Sequence, residues 1–143
     1  MPGQKVFAPG GISMEPEDIM YTFDDLKQIL EKLRDKENGC PWDSVQTHES
    51  MKRYLVEECG EVLEAIDNQD TENLCEELGD VLFSAVNIAR FLKVDAEDSL
   101  NASTEKFINR FCKVEQLAQQ QGIDLEQTSV EQMEQLWKQA KNQ

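Results

Sequence analysis

A chain of 143 residues with 29 acidic and 14 basic side chains carries a formal net charge of −15, a surface that repels nucleic acid and anionic membranes. No stretch approaches the roughly 18 consecutive apolar residues of a membrane span, and no basic-then-apolar signal segment is present. A cytoplasmic protein with neither nucleic acid nor membrane as partner is expected, and the length suits one domain with a core of useful size.

Residues 1–21, with Pro2-Gly3, Pro9-Gly10-Gly11 and Pro16, carry no periodicity and are expected to be a flexible leader to a folded domain over residues 22–143. Thr22 followed by Asp25 reads as a capping box opening a first helix to about Lys36, with Phe23, Leu26, Ile29, Leu30 and Leu33 as its apolar side. Asn38-Gly39-Cys40-Pro41 stops it, and a loop through Trp42 and Asp43 follows. A second helix is expected from about Thr47 to Asp67, with Met51, Leu55, Val62, Ala65 and Ile66 as its stripe. Asn68-Gln69-Asp70 is a short polar turn, so a third helix, about Thr71 to Leu92, should run antiparallel beside the second. Its stripe is Leu74, Leu78, Val81, Leu82, Ala85, Ile88, Ala89 and Leu92. A fourth helix begins near Asp95 or Asp98 and runs to about Gln121, with Leu100, Phe107, Phe111, Val114 and Leu117 inward, and Gly122 ends it. Ser129 and Gln132 make a further capping-box signature before a short last helix with Met133, Leu136 and Trp137. No segment alternates with a period of two. The expected fold is all-α: a bundle of four main helices plus a short C-terminal helix.

Two acidic runs carry the chemistry, Glu57-Glu58-Cys59-Gly60-Glu61 and Glu76-Glu77-Leu78-Gly79-Asp80. Carboxylates three residues apart on a helix project from one side, so Glu58 pairs with Glu61 and Glu77 with Asp80. Glu58 falls where its stripe expects a core residue, and Glu77 lies on the edge of the next stripe. Burying several ionised carboxylates together is prohibitive unless a cation or strong donors compensate them. Hard divalent cations take oxygen ligands, and Mg²⁺ commonly binds substrate phosphates as well. Glu61 stands seven residues before Asn68 and Glu77 seven after Asp70, so the two sets should lie at similar depth. In a chain this acidic, such runs also fit a solvated helix face. The corresponding alternative is a non-catalytic acidic helical adaptor or divalent-ion-binding module, whose acids would lie opposite the apolar stripe.

Lys106 and Arg110 are four apart on the fourth helix and could grip phosphate oxygens, or make surface ion pairs. Trp137 and Lys141, again four apart, offer a plane for a base beside an ammonium, although a terminal tryptophan also serves to pack its helix. No serine or cysteine has the lone histidine, His48, placed persuasively beside it, so triad-type nucleophilic catalysis is unsupported. Glu-x-x-His pairs of the ferritin-like di-iron kind are absent. The cysteines Cys40, Cys59, Cys75 and Cys112 lack CxxC spacing and are expected to be reduced, partly buried thiols.

The segments Gly39-Cys40-Pro41-Trp42-Asp43, Gln46-Thr47-His48-Glu49-Ser50, Tyr54-Leu55-Val56-Glu57-Glu58 through Glu61-Val62, and Glu76 through Phe83 resemble the MazG family of nucleoside triphosphate pyrophosphohydrolases. The resemblance continues through Asn87-Ile88-Ala89-Arg90, Lys106-Phe107 with Arg110-Phe111, and Met133 to Trp137, covering about residues 22 to 141. It implies an all-α homodimeric enzyme that uses Mg²⁺, with Mn²⁺ as substitute, to cleave between the α- and β-phosphates of a nucleoside triphosphate, in nucleotide-pool housekeeping. Glu58, Glu61, Glu77 and Asp80 would be the metal ligands, Lys106 and Arg110 phosphate contacts, and Trp137 the base contact. Glu57 or Glu61 could act as general base. A homodimer is also expected because the third helix is apolar on more than one side, with Phe83, Val86 and Phe91 beyond its main stripe.

Overall fold

The computed structural model describes residues 20–143, so the expected leader lies outside the described residues apart from Met20 and Tyr21. All regular elements among them are helices: α1 (Phe23–Leu33), α2 (Pro41–Ser44), α3 (His48–Asp67), α4 (Thr71–Phe91), α5 (Ala96–Gln121) and α6 (Val130–Lys141). None is long and apolar enough to cross a membrane. The chain divides into two compact units, one ending at Ala96 and one over Glu97–Gln143.

Local chemistry explains the boundaries in the first unit. The Thr22 hydroxyl accepts from the Asp25 N–H at 3.2 Å while the Asp25 carboxylate accepts from the Thr22 N–H at 2.6 Å, a closed capping box. Helix α1 stops at Leu33 instead of continuing to Lys36, because the Asp35 carboxylate draws the backbone N–H groups of Glu37 (2.8 Å) and Asn38 (3.0 Å) into a turn. Those bonds hold the Asp35 carboxyl below its ordinary value. Gly39 is required in this turn, since a Cβ there would run into the carbonyls of Leu33 and Asp35. The expected loop then contains a short helix, α2, started by Pro41 at its first turn, where proline's missing N–H is no loss. A second capping box, Thr47 with Ser50, opens α3, and Asp70 caps α4 through the Asn73 N–H at 3.1 Å. Helix α4 packs along α3 and also against α1.

The second unit is a pair of helices joined at Gly122, whose φ of 67° places it in the left-handed region. The Ile123 N–H returns to the Ala118 carbonyl at 2.8 Å, closing α5 in the manner of a Schellman motif. Val114, Leu117, Ala118, Leu136 and Ala140 form the core, with Ile123, Leu125, Met133 and Trp137 against it. The second half of the expected Ser129–Gln132 box is not seen. Ser129 caps the Gln132 N–H at 3.2 Å, but the Gln132 carboxamide instead accepts from the Thr128 hydroxyl at 2.7 Å.

The largest departure from expectation concerns α4. Leu78, Leu82 and Leu92 of its apolar stripe are exposed, whereas Ser84, Val86 and Asn87 are buried. Glu77, Asp80, Ser84 and Asn87 make a polar file at helical spacing along α4, and of these Glu77 and Asp80 approach Glu58 of α3. Leu100 and Phe107 of α5 are likewise exposed, and burial begins with Val114. Cys59, Cys75 and Cys112 are free and exposed rather than partly buried, and only Cys40 is half-buried.

Candidate metal centre

Antiparallel packing of α3 on α4 brings Glu58, Glu77 and Asp80 together, one carboxylate oxygen of each lying within 4.8 Å of the others. Glu58 and Glu77 are half-buried and Asp80 is exposed. The Oε2 atoms of Glu58 and Glu77 are both sealed from solvent with no hydrogen-bond partner. A buried oxygen without a donor is costly unless a cation occupies its lone pairs. Oxygen-only donors at this spacing suit a hard divalent ion of the Mg²⁺ or Mn²⁺ kind, so the residues present fit such a group.

The electrostatics carry the same strain. Glu77 is pushed up to about 7, first by its hydrogen-bonded approach to the Glu61 carboxyl, then by burial and by repulsion from Glu61, Asp80 and Glu58. Burial, followed by repulsion from Glu61 and Asp80, raises Glu58. Glu61 therefore adjoins the group from the α3 side. Glu57 stands apart: it is exposed on the flank of α3, where Arg53 Nε approaches its Oε1 at 3.8 Å. One turn before Glu58, Tyr54 meets the exposed Trp42 edge-to-face at 5.6 Å between ring centroids.

The basic and aromatic candidates belong to the second unit. Lys106 is exposed and Arg110 half-buried, one turn apart on α5. Between them Phe107 stacks on Phe111 at 6.1 Å and leans on Trp137 at 5.6 Å. Trp137 thus packs its helix down and also borders a shallow depression of about 380 Å³ with Val130, Met133, Glu134, Lys138 and Lys141.

A buried polar network lies outside the carboxylate group. Asp43, only 4% exposed, receives Arg90 Nη2 at 2.9 and 3.1 Å, and the same nitrogen donates to Asn87 Oδ1 at 2.6 Å. On the other side of this corner the Arg34 guanidinium lies 3.8 Å from the centre of the Phe91 ring, and His48 meets that ring edge-on at 6.0 Å. Both ends of the network fall in segments that carry the family resemblance, Gly39 to Asp43 and Asn87 to Arg90, but neither points to the other, 47 residues away.

The profile of the MazG nucleotide pyrophosphohydrolase domain matches residues 46–115. The chain is 47% identical over 92 residues to the nucleoside triphosphate pyrophosphohydrolase/pyrophosphatase MazG of Thermotoga maritima, covering 62% of this chain and 36% of that one. It is 40% identical over 102 residues to the uncharacterized protein YabN of Bacillus subtilis, covering 68% and 21%. The nucleoside triphosphate pyrophosphohydrolase of Escherichia coli K12 is 43% identical over 82 residues, covering 57% and 31%. The chain thus spans between about a fifth and just over a third of the length of these curated relatives. Among solved structures, a MazG-related protein from Thermotoga maritima superposes with a TM-score of 0.60 at 30% identity, over 84% of this chain and 99% of that one. With its all-helical fold and its carboxylates gathered between α3 and α4, this chain belongs to the MazG family.

Proposed function

We propose that this chain is a divalent-metal-dependent hydrolase, with Mg²⁺ as its ion and Mn²⁺ as substitute, that converts nucleoside triphosphates to the monophosphate and pyrophosphate. The observation that carries this reading is the convergence of Glu58, Glu77 and Asp80 with two sealed, unpartnered carboxylate oxygens; membership of the MazG family supplies the reaction class. Glu58, Glu61, Glu77 and Asp80 are the proposed ligands. When bound, the ion would neutralise phosphate charge and acidify a water. Glu61 is the better placed of two candidate bases, because it lies against Glu77 at the cluster whereas Glu57 lies near Arg53. It would orient the attacking water and accept its proton at a carboxylate oxygen. Lys106 and Arg110 are proposed to bind phosphate oxygens, and Trp137 with Lys141 the base end of the substrate.

A non-catalytic adaptor that meets a basic partner is the weaker reading, since a docking surface would hold its acids in solvent rather than sealing Glu58 and Glu77 oxygens between helices. The deciding assay follows monophosphate and pyrophosphate from a panel of triphosphates with and without Mg²⁺. Stoichiometric release of both, dependent on the ion, is expected; no product, or nucleoside diphosphate with orthophosphate, defeats the proposal.

The proposed assembly is a homodimer. Val56, Leu63 and Ile66 on α3 and Leu78, Leu82 and Phe83 on α4 are exposed large apolar side chains, and a patch of that kind points to a protein partner. Val86, by contrast, is buried within its own chain and adds nothing to such a face. Light scattering should give twice the chain mass, falling to the chain mass in Leu82→Asp; a monomer at micromolar concentration rules the dimer out.

A further inference from the structure

The carboxylate cluster lies between two ties, one joining α3 to α4 and one joining α2, just ahead of α3, to the end of α4. One is covalent, the turn Asn68-Gln69-Asp70. The other is the contact of Asp43 with Arg90 and Asn87. Asp43 sits in α2, joined to the start of α3 by only Ser44 to Thr47, so its position sets where α3 begins against the end of α4. His48 precedes Glu58, and Arg90 follows Asp80, by the same interval of sequence, about 15 Å of helix in each case.

This pair is poorly built for stability. Arg90 Nη2 serves both Asp43 oxygens and Asn87, and the guanidinium lies 5.0 Å from the centre of the Phe91 ring, yet its Nε and Nη1 are buried without hydrogen-bond partners. Buried ion pairs with unmet donors are often replaceable by apolar side chains at no loss of stability, so their value lies in selecting one arrangement. Here an arrangement needs selecting. The facing carboxylates of α3 and α4 repel one another, which drives the two helices apart wherever nothing ties them.

We infer that the Asp43–Arg90 pair is a positioning element for the carboxylate cluster, holding α3 in register with α4 so that Glu58 faces Glu77 and Asp80. Neither residue touches the cluster; both act through the helices that carry it. The inference rests on the metal reading proposed above.

The test is calorimetric titration of Mn²⁺ into the purified chain, with metal-free thermal unfolding and circular dichroism on the same samples. Asp43→Asn should weaken Mn²⁺ binding about 10- to 100-fold, the range found for groups that orient metal ligands from outside, while helical content is kept. The double variant Asp43→Leu/Arg90→Leu should unfold at or above the wild-type temperature yet remain as weak for Mn²⁺. That separation of stability from affinity is one a merely structural pair would not produce, and Asp43→Glu should recover part of the affinity. If Asp43→Asn does not fold, the double variant carries the comparison. Wild-type affinity in the folded double variant overturns the inference and leaves the metal reading standing. Absence of any saturable Mn²⁺ site in the wild-type chain overturns both.

Discussion

The seam between α3 and α4 and the core between α5 and α6 are built on opposite principles. The second is apolar: Leu136 is 1% exposed, and Val114, Ala118 and Ala140 close around it. In the first, Glu58, Glu77 and Asp80 face one another, while Leu78 and Leu82 of α4 stand exposed. One interface gains stability from burial. The other includes carboxylate oxygens sealed without hydrogen-bond partners, which a cation would satisfy.

The contrast breaks most visibly if the seam is altered. Glu58→Gln and Asp80→Asn should each lower triphosphate turnover by about a thousandfold or more, roughly 4 kcal/mol of lost transition-state stabilisation. The metal-free fold should be unharmed or slightly firmer, because one repelling charge is gone. Circular dichroism beside a pyrophosphate assay checks both halves, and substantial turnover by both variants would remove these residues from the site. Leu136→Ala should do the reverse, destabilising the chain by about 2–5 kcal/mol in denaturant titration through loss of buried methyl groups and the cavity left behind. A smaller loss would mean that the core collapses around the gap.

Between these extremes stand the residues on α5 and α6. Lys106→Ala and Arg110→Ala should cost about 1.5–3 kcal/mol in specificity constant for every triphosphate alike, because phosphates are common to all. Trp137→Ala should cost about 1–3 kcal/mol and reorder the bases, and it should also lower the melting temperature, since Trp137 leans on Phe107. Equal losses over four triphosphates would leave Trp137 a packing residue alone.

The smallest effect is the pH dependence of the metal-free chain. The Glu77 carboxyl is raised from 4.5 to about 7 in the fold, so the folded state binds a proton more tightly than the unfolded one. Its contribution to stability is therefore fullest below about pH 4.5 and is lost as pH rises through about 7. Divalent-ion binding should release a proton over the same window and strengthen with pH up to about 7. Melting curves from pH 5 to 8 with and without Mn²⁺ measure it; a metal-free stability that rises over that range contradicts the assignment.

Much of this was legible without coordinates. Caps at Thr22, Thr47, Asp70 and Ser129, the turn at Asn68-Gln69-Asp70 and the break at Gly122 are local signals, and the helices begin and end close to them. From the i, i+3 spacing of the acids and the equal distance of Glu61 and Glu77 from the turn, the two acidic runs are expected at similar depth; Glu58, Glu77 and Asp80 gather there, with Glu61 beside them rather than in the group. The short helix α2 was missed because its four residues, Pro41 to Ser44, hold too little periodicity to register. Leu78, Leu82 and Leu92 of the α4 stripe stand exposed while Leu74, Val81, Ile88 and Ala89 are half-buried, because an apolar stripe states only that some surface will cover it, not which one.

Sequence by itself determined where the helices lie and which of their sides carry acids, because capping, helical period and turn chemistry act between residues a few positions apart. Only the tertiary structure decided that α4 brings Glu77 and Asp80 to Glu58, that Ser84 and Asn87 are buried, and that Asp43 finds Arg90. Those outcomes depend on how one helix lies against another, where burial, repulsion and distant partners are settled together rather than residue by residue.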